Sequence, residues 1–209
     1  MRVSKKHFLL LSIQQIDIWI KPITFFLLKK ADKVITLIKS MSNNLAIKNT
    51  IVGHGVRVNE FVPNSNKKLE NVTQENIILN AGRVRKAKGQ LILLEAVSIL
   101  REHKDWALVI VGKVDKPEFL EELKALSEKH KIQNQVYFVN ETRDIISYYQ
   151  AAKIVIAPSY SEGFSLVTAE AMSCECAVIA TKDVGVHSDL IQDKKNGYLF
   201  NAGESFELK

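Results

Sequence analysis

From residue 77 onward the sequence predicts a doubly wound α/β domain built on a parallel sheet, and three observations predict it. Short apolar runs rich in β-branched residues recur near 77–81, 107–111, 135–139, 153–157, 177–180 and 197–200. Stretches with helical character lie between them, at 89–102, 117–130, 144–152, 165–174 and briefly at 187–192. The runs are apolar throughout rather than alternating, as expected of strands covered by helices on both faces. Strands alternating with helices wind into a parallel sheet by crossover connections.

Taken in order, the chain before residue 77 has a different character. Met1-Arg-Val-Ser-Lys-Lys-His7 followed by Phe8-Leu-Leu-Leu-Ser-Ile13 imitates a signal peptide, but the apolar run is short and no small-residue cleavage site follows. Gln14, Gln15, Asp17, Lys21 and Pro22 interrupt the apolar run of 8–28, which disfavours a membrane span and leaves surface contact with a bilayer open. A helix from Pro22 leads to a short buried strand over 34–38, and 40–49 suits one more short helix. Thr50–Val58 is expected as a strand ending in a turn at Gly53-His54-Gly55. Residues 56–76, with Pro63 and a cluster of Asn, Ser and Lys, are expected as a linker. The domains expected are therefore 1–55, the linker 56–76, and 77–209.

Within 77–209 the helix at 89–102 spaces Leu91, Leu94, Val97 and Leu100 along one apolar stripe. The run 154–157 is β-branched and apolar, breaks at Pro158-Ser159, and passes through Ser161-Glu162-Gly163-Phe164 into a helix opening at Ser165 and Leu166. A strand, a Gly-containing turn and a helix start present backbone N–H groups to an anion. The two cysteines, Cys174 and Cys176, are too close in sequence for a usual disulfide and lack a second pair for zinc, so both are expected as small buried hydrophobes. Together with the absence of any other cysteine, this points to a reducing cytoplasm.

A net charge of +6 fits phosphate handling or an anionic membrane surface and does not indicate nucleic acid. No strand is followed by G-x-G-x-x-G and no G-x-x-x-x-G-K-[ST] occurs, which disfavours nicotinamide cofactors and P-loop chemistry. Ligands of doubly wound sheets bind beyond the carboxyl ends of the strands. Three features fall there: Gly82-Arg83 with Lys88-Gly89, Gly112-Lys113, and the Glu162–Glu170 segment.

Arg83 and Lys88 oppose the dipole of the helix that follows them, so they make sense against a multiply charged phosphate. A solvated basic loop is the other reading of those residues. Glu162 and Glu170 suit hydroxyl-rich partners, or else Glu162 caps the helix and Glu170 lies on the surface. His54, between two glycines, either donates to a phosphate or is incidental. No role is assigned to His187.

Gly82-Arg83…Lys88-Gly89, Pro158-Ser-Tyr-Ser-Glu-Gly-Phe-Ser-Leu166 and Glu170-Ala-Met172 resemble the donor half of the GT-B retaining glycosyltransferases. The nearest group is their family four, whose signature is two glutamates separated by seven residues. Asn196-Gly-Tyr-Leu-Phe200 resembles its next strand. Ala31–Thr36 and Gly53–Phe61 resemble the end of the acceptor-side domain and the entry to the second domain. The His54-Gly55-Val56 turn, the Gly-Arg-Val-Arg loop and Asp105-Trp106 are similar to the bacterial lipopolysaccharide core mannosyltransferases.

The resemblance implies a role for each matched residue. Arg83 and Lys88 would hold the donor diphosphate without a metal ion, Glu162 would contact hydroxyls of the transferred sugar, and Glu170 would contact the ribose. His54, Gly55, Gly82, Gly163, Phe164, Ser165 and Leu166 would complete the donor site. No cofactor is implied. The donor implied is a nucleotide sugar, GDP-mannose foremost, and the acceptor a lipid-linked cell-envelope glycan at the inner face of the cytoplasmic membrane. Glu175-Cys176-Ala177 stands where the family usually has Gly-x-Pro, which puts a Glu where αL geometry favours Gly. Residues 1–55 are expected as a remnant of the acceptor-side domain, and the donor domain as incomplete at its C-terminus. A chain that binds a nucleotide sugar without transfer is the alternative.

Overall fold

The computed structural model describes residues 26, 28–31, 33–44 and 47–203. Expectations for residues 1–25, including the apolar run and its contact with a bilayer, lie outside the described residues. Among the described residues no helix is long and apolar enough to cross a membrane. The described residues form two compact units: one holds those up to Gly55 together with Glu162–Phe164, and the other runs Val56–Ser161 and resumes at Ser165.

In the first unit, β1 (Ile35–Thr36) pairs in parallel with β2 (Thr50–Ile51), with α1 (Lys39–Asn44) between them. Asn49 ties the three together. Its Oδ1 accepts from Thr36 Oγ1 at 3.0 Å and Ser42 Oγ at 2.6 Å, and its Nδ2 donates to Ile47 O at 2.8 Å. The strand expected over 50–58 is confined to β2. Val52 N still donates to Thr36 O at 2.8 Å, but β1 ends there as the chain bends into α1. Residues 53–58 therefore have no strand to pair with.

The second unit is a six-stranded, wholly parallel sheet. Its strands are β3 (Asn76–Ala81), β4 (Trp106–Val111), β5 (Val136–Val139), β6 (Ile154–Ala157), β7 (Ala177–Thr181) and β8 (Tyr198–Phe200), in the spatial order β5-β4-β3-β6-β7-β8. All six lie where the apolar runs predict them. Between them run α2 (Gln90–Ala96), α3 (Pro117–Lys129), α4 (Ile145–Ala151), α5 (Leu166–Ser173) and α6 (His187–Leu190).

Successive strand residues feed opposite faces of the sheet. Ile77, Leu79 and Ala81 enter one core with Val109, Val155, Val178 and Tyr149. Ile78 enters the other with Leu93, Leu108, Ile110, Leu123 and Ile156.

Two local features depart from expectation. The helix expected over 89–102 is α-helical only through Ala96 and tightens to a 3-10 turn over Val97–Glu102. In a 3-10 turn residues three apart eclipse, and this keeps Val97 and Leu100 buried while Ile99 is exposed. The stretch 56–76, expected as a linker, is pinned to the second unit. Phe61 is buried against Tyr149, its carbonyl accepts from Ser173 Oγ at 2.6 Å, and Val62 O accepts from Gln150 Nε2 at 2.9 Å.

Candidate functional site

The order in which successive strands are laid down reverses between β3 and β6. At such a switch the two following loops leave in opposite directions and open a crevice for ligand. Here the loops are Gly82–Gly89, after β3, and the segment from Pro158, after β6.

The two loops touch. Gly89, at φ 69°, lies so close to Pro158 that a Cβ would stand 2.0 Å from the Pro158 carbonyl oxygen, and Tyr160 N donates to Ala87 O at 2.9 Å. Only glycine fits this approach. The loop is also anchored from below by Gln90, which is fully buried. Its Nε2 donates to Asn80 Oδ1 at 3.3 Å and Arg83 O at 3.1 Å, while Asn80 Nδ2 donates to Ile156 O at 2.9 Å. Buried polar groups satisfied in this way fix one loop geometry.

Arg83 points to solvent and is gripped by Asp115. Its Nε and Nη2 both lie 2.7 Å from Asp115 Oδ1. Five N–H donors form the guanidinium fork, so the Nη1 side is not claimed by Asp115. Lys88 folds back over Gly82, with Nζ 3.7 Å from where a Gly82 Cβ would stand. Arg83 and Lys88 thus flank the same turn.

After β6, Pro158 and Ser159 are buried and the chain reaches α5 at Ser165. Ser165 is the N-cap at φ 78°, ψ 72°, and its side chain makes no capping hydrogen bond. Its Oγ lies 2.9 Å from His187 Nε2 and 3.2 Å from Thr168 Oγ1. The N-cap position of this helix thus belongs to Ser165 and not to Glu162. Farther along α5, Glu170 is half-buried rather than on the surface, and its Oε2 accepts from Tyr149 Oη at 2.8 Å.

Glu162, Gly163 and Phe164 group with the first unit. There the Phe164 ring meets His54 edge-on, with centroids 5.2 Å apart, while Gly55 is exposed. Among the described residues no three His, Cys, Asp or Glu side chains gather into a metal-holding group.

Sequence reasoning missed four residues that shape this region: Asp115, Gln90, Tyr149 and His187. Asn80 and Gln90 carried a signal, being polar at core positions of a strand and a helix. Nothing local marks His187 or Asp115, whose partners come from other elements.

A family model described as glycosyl transferases group 1 matches residues 61–209. The chain belongs to that family. It is 28% identical over 192 residues to the lipopolysaccharide core biosynthesis mannosyltransferase LpcC of Rhizobium leguminosarum bv. viciae, covering 88% of this chain and 54% of that protein. It is 33% identical to the crystal structure of the C-terminal domain of the group 1 family protein LpcC from Francisella tularensis, with TM-score 0.68, covering 74% of this chain and 84% of that one. The crystal structure of Anabaena HepE in complex with UDP and glucose shares the fold at TM-score 0.81 and 24% identity, covering 90% of this chain and 54% of that one.

The chain spans about half the length of the curated relatives it matches. The likeness expected from the loops, to the lipopolysaccharide core mannosyltransferases, is borne out, and the sheet is the Rossmann-like domain of the GT-B fold.

Proposed function

We propose that this group 1 chain carries the donor half of a retaining hexosyltransferase. It takes mannose from GDP-mannose and passes it to a lipopolysaccharide-core or other cell-envelope glycan. The observation that carries this reading is the contact of the Gly82–Gly89 loop with Pro158 and Tyr160 at the β3/β6 switch, with Arg83 and Lys88 on one turn.

In this reading Arg83 and Lys88 hold the diphosphate and offset the charge that grows on it as the sugar departs. Positioned cations serve that purpose without a metal ion. Asp115 steadies Arg83 while leaving the Nη1 side to the phosphate. The backbone N–H groups at the start of α5 face the donor's oxygens. Glu170 accepts from the ribose and Glu162 from the transferred sugar. Gly163, Phe164, His54 and Gly55 complete the donor's surroundings, with His54 donating to a phosphate. The acceptor is a lipid-linked glycan at the inner face of the cytoplasmic membrane, where a net charge of +6 favours anionic lipid.

Calorimetric titration with GDP, GDP-mannose and UDP-glucose, followed by a transfer assay on a lipid-linked acceptor, tests this reading. Tighter binding of the guanosine ligands with turnover supports it. Binding without turnover supports the second reading, a nucleotide-sugar-binding chain that does not transfer. Binding of none of the three overturns the site.

A further inference from the structure

A serine at a helix N-cap ordinarily takes extended backbone, and its hydroxyl accepts from an N–H of the first turn. Ser165 does neither. It stands in the left-handed region at φ 78°, which is unfavourable for any residue with a Cβ, and makes no capping bond. Such a conformation persists where its surroundings over-determine it.

The surroundings are hydrogen bonds running from the ends of two strands. Thr181, the last residue of β7, donates from Oγ1 to Ala157 O at the end of β6, across 3.3 Å. The Thr181 carbonyl lies 2.8 Å from His187 Nδ1, and His187 is fully buried. A carbonyl only accepts, so Nδ1 carries the proton, and in the neutral ring Nε2 accepts from the Ser165 hydroxyl. That hydroxyl in turn accepts from Thr168 Oγ1. The natural capping group of α5 is thereby drawn away from the first-turn N–H groups.

We propose that His187 is a positioning residue for donor binding. Through the Ser165 hydroxyl it holds the entry of α5 in a geometry in which the serine does not cap the helix, ready for the anionic oxygens of a nucleotide diphosphate. This rests on the donor reading above.

Two isosteres separate the bonds of His187. His187→Asn places a donor near the Nδ1 position and keeps the bond to Thr181 O, but does not reach Ser165. His187→Gln reaches Ser165 and gives up Thr181 O. A third variant, Ser165→Ala, removes the link without touching His187, which covers the case in which His187 variants fail to fold.

The probe is GDP, titrated calorimetrically against the whole chain, with thermal unfolding followed in parallel. His187→Asn and Ser165→Ala are each expected to weaken GDP by about tenfold. The double variant is expected to be no weaker than either single one, because both remove one link. His187→Gln should stay within about twofold of wild type in GDP affinity yet melt lower than His187→Asn. A purely structural histidine gives the same order in both measurements.

Unchanged GDP affinity in Ser165→Ala, or additive losses in the double variant, overturns the proposal alone. Failure of the wild-type chain to bind GDP overturns the donor reading, and this inference with it.

Discussion

The Tyr149 hydroxyl donates to Glu170 Oε2 across 2.8 Å, joining a core side chain of α4 to a half-buried carboxylate of α5. Burial first, then the Glu170 charge, push the phenol well above its ordinary range, so it remains a donor. Tyr149→Phe keeps the ring contact with Phe61 and removes only this bond. A hydrogen bond to a charged group contributes about 1.5–3 kcal/mol, and urea unfolding is expected to show a loss of that order. With Glu170 unanchored, the preference for GDP over 2′-deoxy-GDP should also narrow. An unchanged urea midpoint would show that the bond contributes nothing.

Gly89→Ala is expected to be among the most damaging small substitutions in the chain. Its Cβ would meet the Pro158 carbonyl at 2.0 Å, and the backbone there has φ 69°. Strain and overpacking together cost about 2–4 kcal/mol. Gly55→Ala is the control, since nothing lies within 4 Å of a Cβ there. Chemical denaturation of the two variants should differ clearly; equal midpoints would mean that the two loops do not meet as described.

Glu175 follows α5 in left-handed backbone at φ 61°, at the place where the family pattern puts Gly. The left-handed region costs a non-glycine residue roughly 1–2 kcal/mol, while glycine costs about 0.5–1 kcal/mol in unfolded-chain entropy. The difference favours glycine. Glu175→Gly is therefore expected to raise the melting temperature by a few degrees, and calorimetry that finds a fall would contradict the backbone assignment.

The two cysteines are buried and free, and Cys176 Sγ donates to Tyr149 O at 3.2 Å. Burial first, then neighbouring Cys174, push the Cys176 thiol from its ordinary 9.0 to about 12. Its folded value lies above its unfolded value. The stability held by the neutral thiol is thus complete below about pH 9 and fades as pH rises through about 12. Urea midpoints should fall over that window, less steeply in Cys176→Ala. Neither thiol should react with a disulfide reagent at pH 8 until the chain unfolds.

Much of the second unit was legible because its strands are buried on both faces. Ala107–Val111 and Ile154–Ala157 are apolar without alternation, and Ile77–Ala81 departs only at Asn80, a pattern that suits strands covered on both faces. The strand expected over 50–58 failed because strand length depends on a partner, and β1 offers only two residues. The helix expected over 89–102 failed at Val97 because periodicity does not separate an α-helical stripe from a 3-10 turn that buries Val97 and Leu100.

That Gly82, Arg83, Lys88 and the Glu162–Glu170 segment follow the ends of β3 and β6 was legible in the sequence. The side chains that hold them were not. Asp115 lies 32 residues from Arg83, and Tyr149 lies 21 from Glu170. Such pairs exist only once the sheet has assembled.

Arg83 and Lys88 are proposed to bind a diphosphate at the switch between β3 and β6. Calorimetric titration of GDP against wild type, Arg83→Ala and Lys88→Ala tests it most directly. Charge-assisted hydrogen bonds to phosphate are worth about 1.5–3 kcal/mol, so each variant is expected to bind GDP at least about tenfold more weakly. GDP affinity unchanged in both variants would contradict the claim.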